Sequence, residues 1–296
     1  MELKSPLSFE KQLERLKEQG MAIEDEEWAV TVLKKINYYR FTGYALGFRI
    51  DPQISVYKQG TTFARIYDLY LLDEQLRDVL RVFIEKAEIY YRTQIAYGFA
   101  MSKCQNPPHD QHYYEENFYN REGYKQVVGN LQKEKNYYRD TLIVKHHQTK
   151  YESKMPLWVM VELMSFSDMS KLYKSMYISE KEVIANAVGV QFTTLENHLH
   201  CLSVLRNKCA HAARLYDSSF NPKARFTKTF LKNNPAVKED SLFAYILVLM
   251  KRLPDKESKI ALKEALENVL KEHKIEAIME MIGFPVNYES LLKNIL

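Results

Sequence analysis

At 296 residues, with nine Gly, nine Pro, 46% hydrophobic and 27% charged side chains, the chain can bury a sizeable core, and its balance excludes extended disorder. Its longest apolar run, SLFAYILVLM at 241–250, is about half of what a membrane-spanning helix needs, so a soluble protein with no membrane role is expected. The opening MELKSPLSFEKQLERLKEQG is amphipathic with mixed charges rather than a signal peptide. Three cysteines without paired metal spacing (Cys104, Cys201, Cys209) suit a reducing cytoplasm.

The periodicity is helical nearly throughout. Ser8 is placed to cap a first helix that buries Leu13 and Leu16 and stops at Gly20, and Asp25 opens a second through Trp28, Val32 and Ile36. From 37 to 61, Gly43, Gly47, Pro52 and Gly60 interrupt the pattern, and a short hairpin fits there. Thr62 starts the longest helical stretch, to about Lys103, with a break expected near Asp73. CQNPPHDQHYY is a loop. Further helices are expected around 122–138, 139–150, 156–176, 180–188, 193–211, 241–253, 256–273 and 275–282. No stretch alternates with period two long enough to build a large sheet. The reading is all-α, divided into an N-terminal lobe (1–61), a main helical domain (62–220) and a C-terminal helical extension (221–296).

Charge is uneven behind a net value of +4. Residues 1–31 carry four basic and eight acidic side chains. Residues 206–232 carry seven basic ones (Arg206, Lys208, Arg214, Lys223, Arg225, Lys228, Lys232) against Asp217 alone. Such an excess is either a phosphate-binding surface or a solvated basic face. Within it, VLRNKCAHAARLYD sets Arg206 five positions before His211. An arginine that holds phosphate and a histidine that moves protons are the groups needed to cut RNA without a metal. With 13 Arg and 8 His in the chain, about 0.35 Arg-x4-His matches are expected by chance, so ordinary helix-end residues are the competing reading. Five helical positions turn through about 140° and rise about 7.5 Å, so the two side chains diverge; two copies of the helix meeting across a symmetry axis would reconcile them. Asn207, four positions before His211, shares its face and is placed to orient the imidazole.

Other constellations are weaker. Arg139 and His146, with six residues between them, offer an RNA contact or a surface helix end. His146 and His147 point apart on regular structure. Neither Glu196, His198, His200 and Cys201 nor His109, Asp110 and His112 has the spacing of a metal helix, and no metal or cofactor is expected. Tyr38, Tyr39, Arg40 and Tyr44 read as base-stacking aromatics or, more readily, as a buried polar–aromatic lock. Glu85, Glu88 and Arg92 share one helical face, either as a surface ion-pair ladder or as an internal acidic row that holds Arg206.

Four segments taken together, INYYRFTGYALGFR, FIEKAEIYYRTQIAYGFA, PLWVMVELMSFSDMSKLY and LENHLHCLSVLRNKCAHAARLYD, resemble the Abi-like proteins of bacterial abortive infection in order and spacing, over about residues 5–220. That family resembles the HEPN superfamily of helical nucleases, whose Arg-x4–6-His motif falls here on Arg206, Asn207 and His211. Many members carry Ala-His-His-Ser-Arg-Leu-Trp at its end; here Ala212, Ala213 and Tyr216 replace the second His, the Ser and the Trp. The resemblance implies phage defence by a toxin held inactive until infection. It further implies a metal-independent endoribonuclease acting as a homodimer, with RNA as substrate and a small non-coding RNA as one form of antitoxin. The RNA contacts expected beside Arg206 and His211 are Arg214, Lys208, Lys223, Arg225 and Lys228 from the basic run, Arg139 and His146 from the second Arg/His pair, and Arg40 from the aromatic cluster. A non-catalytic RNA-binding or sensor protein using the same groove is the alternative.

Overall fold

Each helix start that the sequence marks carries the cap it offers. In the computed structural model, which describes residues 5–273, 279 and 281–295, Ser8 accepts from the Lys11 N–H at the head of α1 (Phe9–Glu18) and Asp25 from Trp28 at the head of α2 (Glu26–Lys35). These oxygens satisfy amides that a helix start leaves unpaired. Where a hairpin is expected the chain instead forms α3 (Tyr38–Tyr44), capped by Asn37, and a 3-10 turn at Leu46–Phe48. Only one antiparallel bridge, Arg49 with Tyr57, closes the loop behind them.

Thr62 caps α4 (Phe63–Lys103), a helix of 41 residues and therefore about 60 Å long. The break expected near Asp73 is absent. Asp73 lies inside the continuous helix, its buried carboxylate met by donors from other places in the fold. After α4 come α5 (Arg121–Tyr137), α6 (Leu142–Lys150), α7 (Leu157–Met160), α8 (Phe166–Ser175), α9 (Ile178–Ala187) and α10 (Phe192–Ala210). The single helix expected over 156–176 is divided, because Ser165 caps α8 by accepting from the Asp168 N–H and Met164 is extended between them. The C-terminal part holds α11 (Lys228–Asn233), α12 (Leu242–Arg252), α13 (Lys256–Glu272) and α14 (Tyr288–Lys293). The sequence pattern does not mark α11 or α14, and the expected helix at 275–282 falls largely outside the described residues.

The fold is all-α; among the described residues there is no strand beyond two isolated bridges. Helix α4 is its spine, against which α3, α7, α9, α10, α12 and α13 all pack. The long apolar run of the sequence is α12, in which every side chain from Leu242 to Met250 is buried. An apolar helix covered on all sides belongs to a core, and no helix among the described residues is long and apolar enough to cross a membrane. The buried apolar residues, from Leu13 to Leu292, form one cluster.

Candidate active site

Helix α10 is fixed by a buried face that includes Leu195, Leu199, Leu202, Leu205 and Cys209, packed on α4, α8 and α12. It ends at His211. The Ala212 N–H donates to the Cys209 carbonyl (3.3 Å) and the Ala213 N–H to that of Lys208 (2.8 Å), with Ala212 at φ +49°. This is the Schellman arrangement, whose left-handed position normally takes glycine. An alanine there costs about 1–2 kcal/mol. His211 itself is exposed, and among the described residues its side chain has no hydrogen-bond partner.

The segment after His211 is held by a buried polar socket. The Asp73 carboxylate, fully covered, accepts from the Leu215 amide (3.1 and 3.2 Å to its two oxygens), the Tyr216 amide (2.7 Å) and the Tyr44 hydroxyl (2.8 Å), and pairs with Arg77 one turn along α4. Arg77 also reaches the Ala213 carbonyl (3.4 Å), and Arg40 donates to that of Ala212 (2.6 Å). Arg214 donates to the Gly43 carbonyl. Burial raises the Asp73 carboxyl from its ordinary range, against the pull of Arg77, Tyr44 and the two amides. Burial, reinforced by Asp73, also raises the Tyr44 phenol, so it remains a donor. The strained turn thus stays put because the fold grips the chain just beyond it at several points. The sequence pattern does not mark Asp73 and Arg77 as site residues. Their signal is that they sit on the apolar stripe of α4 with Leu69, Leu76 and Leu80, where a charged pair four residues apart needs a reason.

Arg206 faces the other way. Its Nε lies 3.8 Å from Glu88 Oε2, while Glu88 Oε1 accepts from Arg92 Nη2 (2.6 Å). Arg92 is anchored in turn on the Met164 carbonyl (2.9 Å) and on Glu162 (3.3 Å). Glu85, Glu88, Arg92 and Arg206 line one cleft of about 420 Å³. One edge of the Arg206 guanidinium is therefore held by a carboxylate already shared with a second arginine. Its terminal nitrogens have no acceptor among the described residues, and the side chain is 40% exposed. His211 does not line this cleft, so within one chain the helix separates the two groups.

The remaining candidates divide. The Asn207 amide donates to Ser167 Oγ (3.1 Å) on α8, and only its backbone carbonyl reaches His211, accepting that residue's N–H at 3.0 Å. The expectation that its side chain orients the imidazole is thus not what the structure shows, because α8 offers a fixed hydroxyl on the opposite side. Lys208 lies over the Phe220 ring (4.8 Å), and burial lowers its pKa. Lys223, Arg225 and Lys228 are exposed on a segment whose backbone is fixed: Asn197 bridges the Lys223 carbonyl and the Arg225 N–H, and His198 Nε2 holds the Arg225 carbonyl (2.8 Å). Arg139 and His146 are exposed near the α5–α6 turn, with Arg139 beside Asp140 and His146 against Tyr151; among the described residues no hydrogen bond, ion pair or ring contact joins them to the end of α10.

Four of the other histidines, His109, His112, His147 and His198, are held on backbone carbonyls. His147 is buried, with Nδ1 on the Ile143 carbonyl, while His146 points out. His112 contacts the Met155 carbonyl and Cys104, and His109 the Cys104 carbonyl. His198 is covered, and desolvation pushes its pKa down to about 4. Among the described residues no three His, Cys, Asp or Glu side chains gather to hold a metal ion.

A model of the Abi-like protein family matches residues 31–217. The chain belongs to the Abi-like proteins. The match begins within α2 and ends at Asp217, directly after the socketed segment, so it contains every residue of the socket, the acidic row and the α10 end. Membership supports a function of the abortive-infection type for this Abi-like protein. No curated protein and no solved structure matches the chain significantly.

Proposed function

We propose that this Abi-like protein is a metal-independent endoribonuclease of the HEPN type, a toxin of the abortive-infection response. One observation carries the reading: an exposed histidine without a partner is fixed at a strained helix end by a buried, charged socket. A histidine of no consequence would not require that positioning. His211 takes the proton of a ribose 2′-hydroxyl as its oxygen attacks the adjacent phosphorus. The 2′-O–P bond forms, the P–O5′ bond breaks, and the leaving 5′-oxygen receives a proton from a second imidazole. The terminal nitrogens of Arg206 fork onto the non-bridging oxygens, where charge develops.

Because Arg206 and His211 open on different sides of α10, the site is completed by a second copy of the chain, each copy presenting its arginine and histidine to a shared groove. The same separation supports a second reading, in which the residues only grip RNA, whether a target or a non-coding antitoxin. The test is end-group analysis of RNA cut in chelator. Products with 2′,3′-cyclic phosphate and 5′-hydroxyl ends are expected, with none from a substrate carrying 2′-deoxy at the cut. His211→Ala should lower cutting by about 10²–10⁴-fold and leave folding and RNA binding intact. Products with 5′-phosphate, or cutting restored only by magnesium, would reject the mechanism. Binding without cutting by the wild type would favour the second reading, and a fully active monomer would reject the composite site.

A further inference from the structure

A cleft of about 1060 Å³ lies between α1, α3 and the segment just after His211. Four guanidinium groups line it, from Arg15, Arg40, Arg49 and Arg214, and no Asp or Glu does. Among the described residues none of the four has a carboxylate partner. Arg40 and Arg214 donate to backbone carbonyls, which fix their position without neutralising them, and among the described residues the buried Arg49 Nε has no acceptor. Four uncompensated cations around one concavity repel each other unless an anion enters. The cleft wall also carries Tyr38, partly covered, and Tyr39, which is 86% exposed.

From this we infer that the cleft binds single-stranded RNA and delivers the strand to the end of α10. The inference rests on the RNA reading proposed for the α10 end and adds to it a role for the segment of chain before residue 31. The chemistry selects the ligand. Guanidinium forks match phosphate oxygens, and an open tyrosine ring offers a flat face on which an unpaired base stacks. A duplex has its bases already stacked and paired, and an acidic peptide would leave the ring unused. The cleft borders Ala212 and Ala213, the two residues after His211, so a strand lying in it runs to the end of α10.

The experiment uses the full-length protein and a labelled single-stranded RNA with 2′-O-methyl groups throughout, which binds but cannot be cut by 2′-hydroxyl attack. Wild type should bind it at least tenfold more tightly than the matching duplex. Tyr39→Ala, which removes an exposed ring and disturbs no packing, should weaken binding about tenfold. The Arg15→Gln/Arg49→Gln pair should weaken it further and reduce the slope of log affinity against log salt by about 1.4, two phosphate contacts at about 0.7 each. Thermal melts confirm that both variants are folded. The inference is overturned if wild type fails to bind, if duplex is preferred, or if both variants bind as wild type does. Full affinity in both variants with cutting of ordinary RNA retained would reject this cleft alone. Cleft-dependent binding without any cutting would reject the nuclease reading alone.

Discussion

Helices α1 and α10 end in the same hydrogen-bond pattern with different residues at the critical position. At α1 the Gly20 N–H reaches the Lys17 carbonyl and the Met21 N–H that of Leu16; at α10 Ala212 and Ala213 repeat those bonds on Cys209 and Lys208. Gly20 sits at φ +90°, which glycine adopts freely, whereas Ala212 at +49° does so against its Cβ. The two turns differ in the chain just beyond them. After Gly20 the chain makes a backbone bridge from Ala22 to Thr62 and needs no buried charge. After Ala212 it enters the Asp73 socket, and strong interactions beyond the turn hold the turn in a conformation its residue disfavours. Relaxed termination serves the fold. Enforced termination places a histidine.

Removing the enforcement is the largest break in this comparison. Asp73→Ala leaves Arg77 buried without its counter-charge, with only 3% of that side chain exposed, and orphans the Leu215 and Tyr216 amides together with the Tyr44 hydroxyl. A loss of about 3–5 kcal/mol is expected, read from denaturant unfolding. Hydrogen exchange at residues 212–216 should rise first, while the amides around Gly20 stay protected to the same degree. If both helix ends loosen equally, Asp73 acts on the whole fold and the socket is not a local device.

Much of this architecture was legible in the sequence because it rests on local chemistry. Ser8, Asp25, Thr62 and Gly20 start and stop helices through side chains or φ values that the chain itself announces. The Glu88–Arg92 row was legible from its four-residue spacing, and with it the anchor of Arg206. The socket was not, because the chain it grips, residues 213–216, lies over 130 residues from Asp73 and Arg77 in sequence. From sequence alone Asp73 stood at an expected helix break, and only the fold brings Tyr44 and the 215–216 amides to it. Asn207 misled for the same reason: its neighbour on the helix face was visible, but Ser167 on α8 was not. The Tyr38–Tyr44 cluster proved to be two things, a buried lock at Tyr44 and an open face at Tyr39.

Acid should separate the two helices next. Burial holds His198 on α10 neutral, with its pKa near 4 against about 6.5 in the unfolded chain, and its buried Nδ1 has no acceptor for an added proton. The unfolded state therefore binds more protons between these values, so stability is complete above about pH 6.5 and declines as pH falls toward 4. The loss approaches about 3 kcal/mol, taking about 1.4 kcal/mol per pH unit. Helix α1 contains no histidine. Protection of α10 and of the 222–227 segment should fall in this window while the α1 end tracks only global unfolding. His198→Gln, which keeps a donor for the Arg225 carbonyl, should flatten the dependence; an unchanged profile would move the acid sensitivity elsewhere.

The smallest effect is the most direct test of the comparison, an exchange of residues between the two turns. Gly20→Ala imposes at α1 the strain that α10 already bears. A Cβ there meets only the Tyr57 carbonyl, at an ordinary 3.6 Å, so the cost is conformational, about 1 kcal/mol or about 2 °C in Tm. Ala212→Gly relieves about 1–2 kcal/mol of strain and gives back about 0.4–1 kcal/mol through a more flexible unfolded chain, for a net gain of about 0.5–1 kcal/mol. Thermal midpoints should thus move in opposite directions in the two variants. Turnover should separate them further. Gly20 follows a wall residue of the cleft but does not itself line it, so Gly20→Ala should cut saturating RNA at the wild-type rate per folded molecule. Ala212→Gly frees the residue beside the imidazole and should cut more slowly although it is the more stable protein, as expected where strain positions a reacting group. If Ala212→Gly is both more stable and fully active, the left-handed alanine is a tolerated accident of this chain, and the socket alone fixes His211.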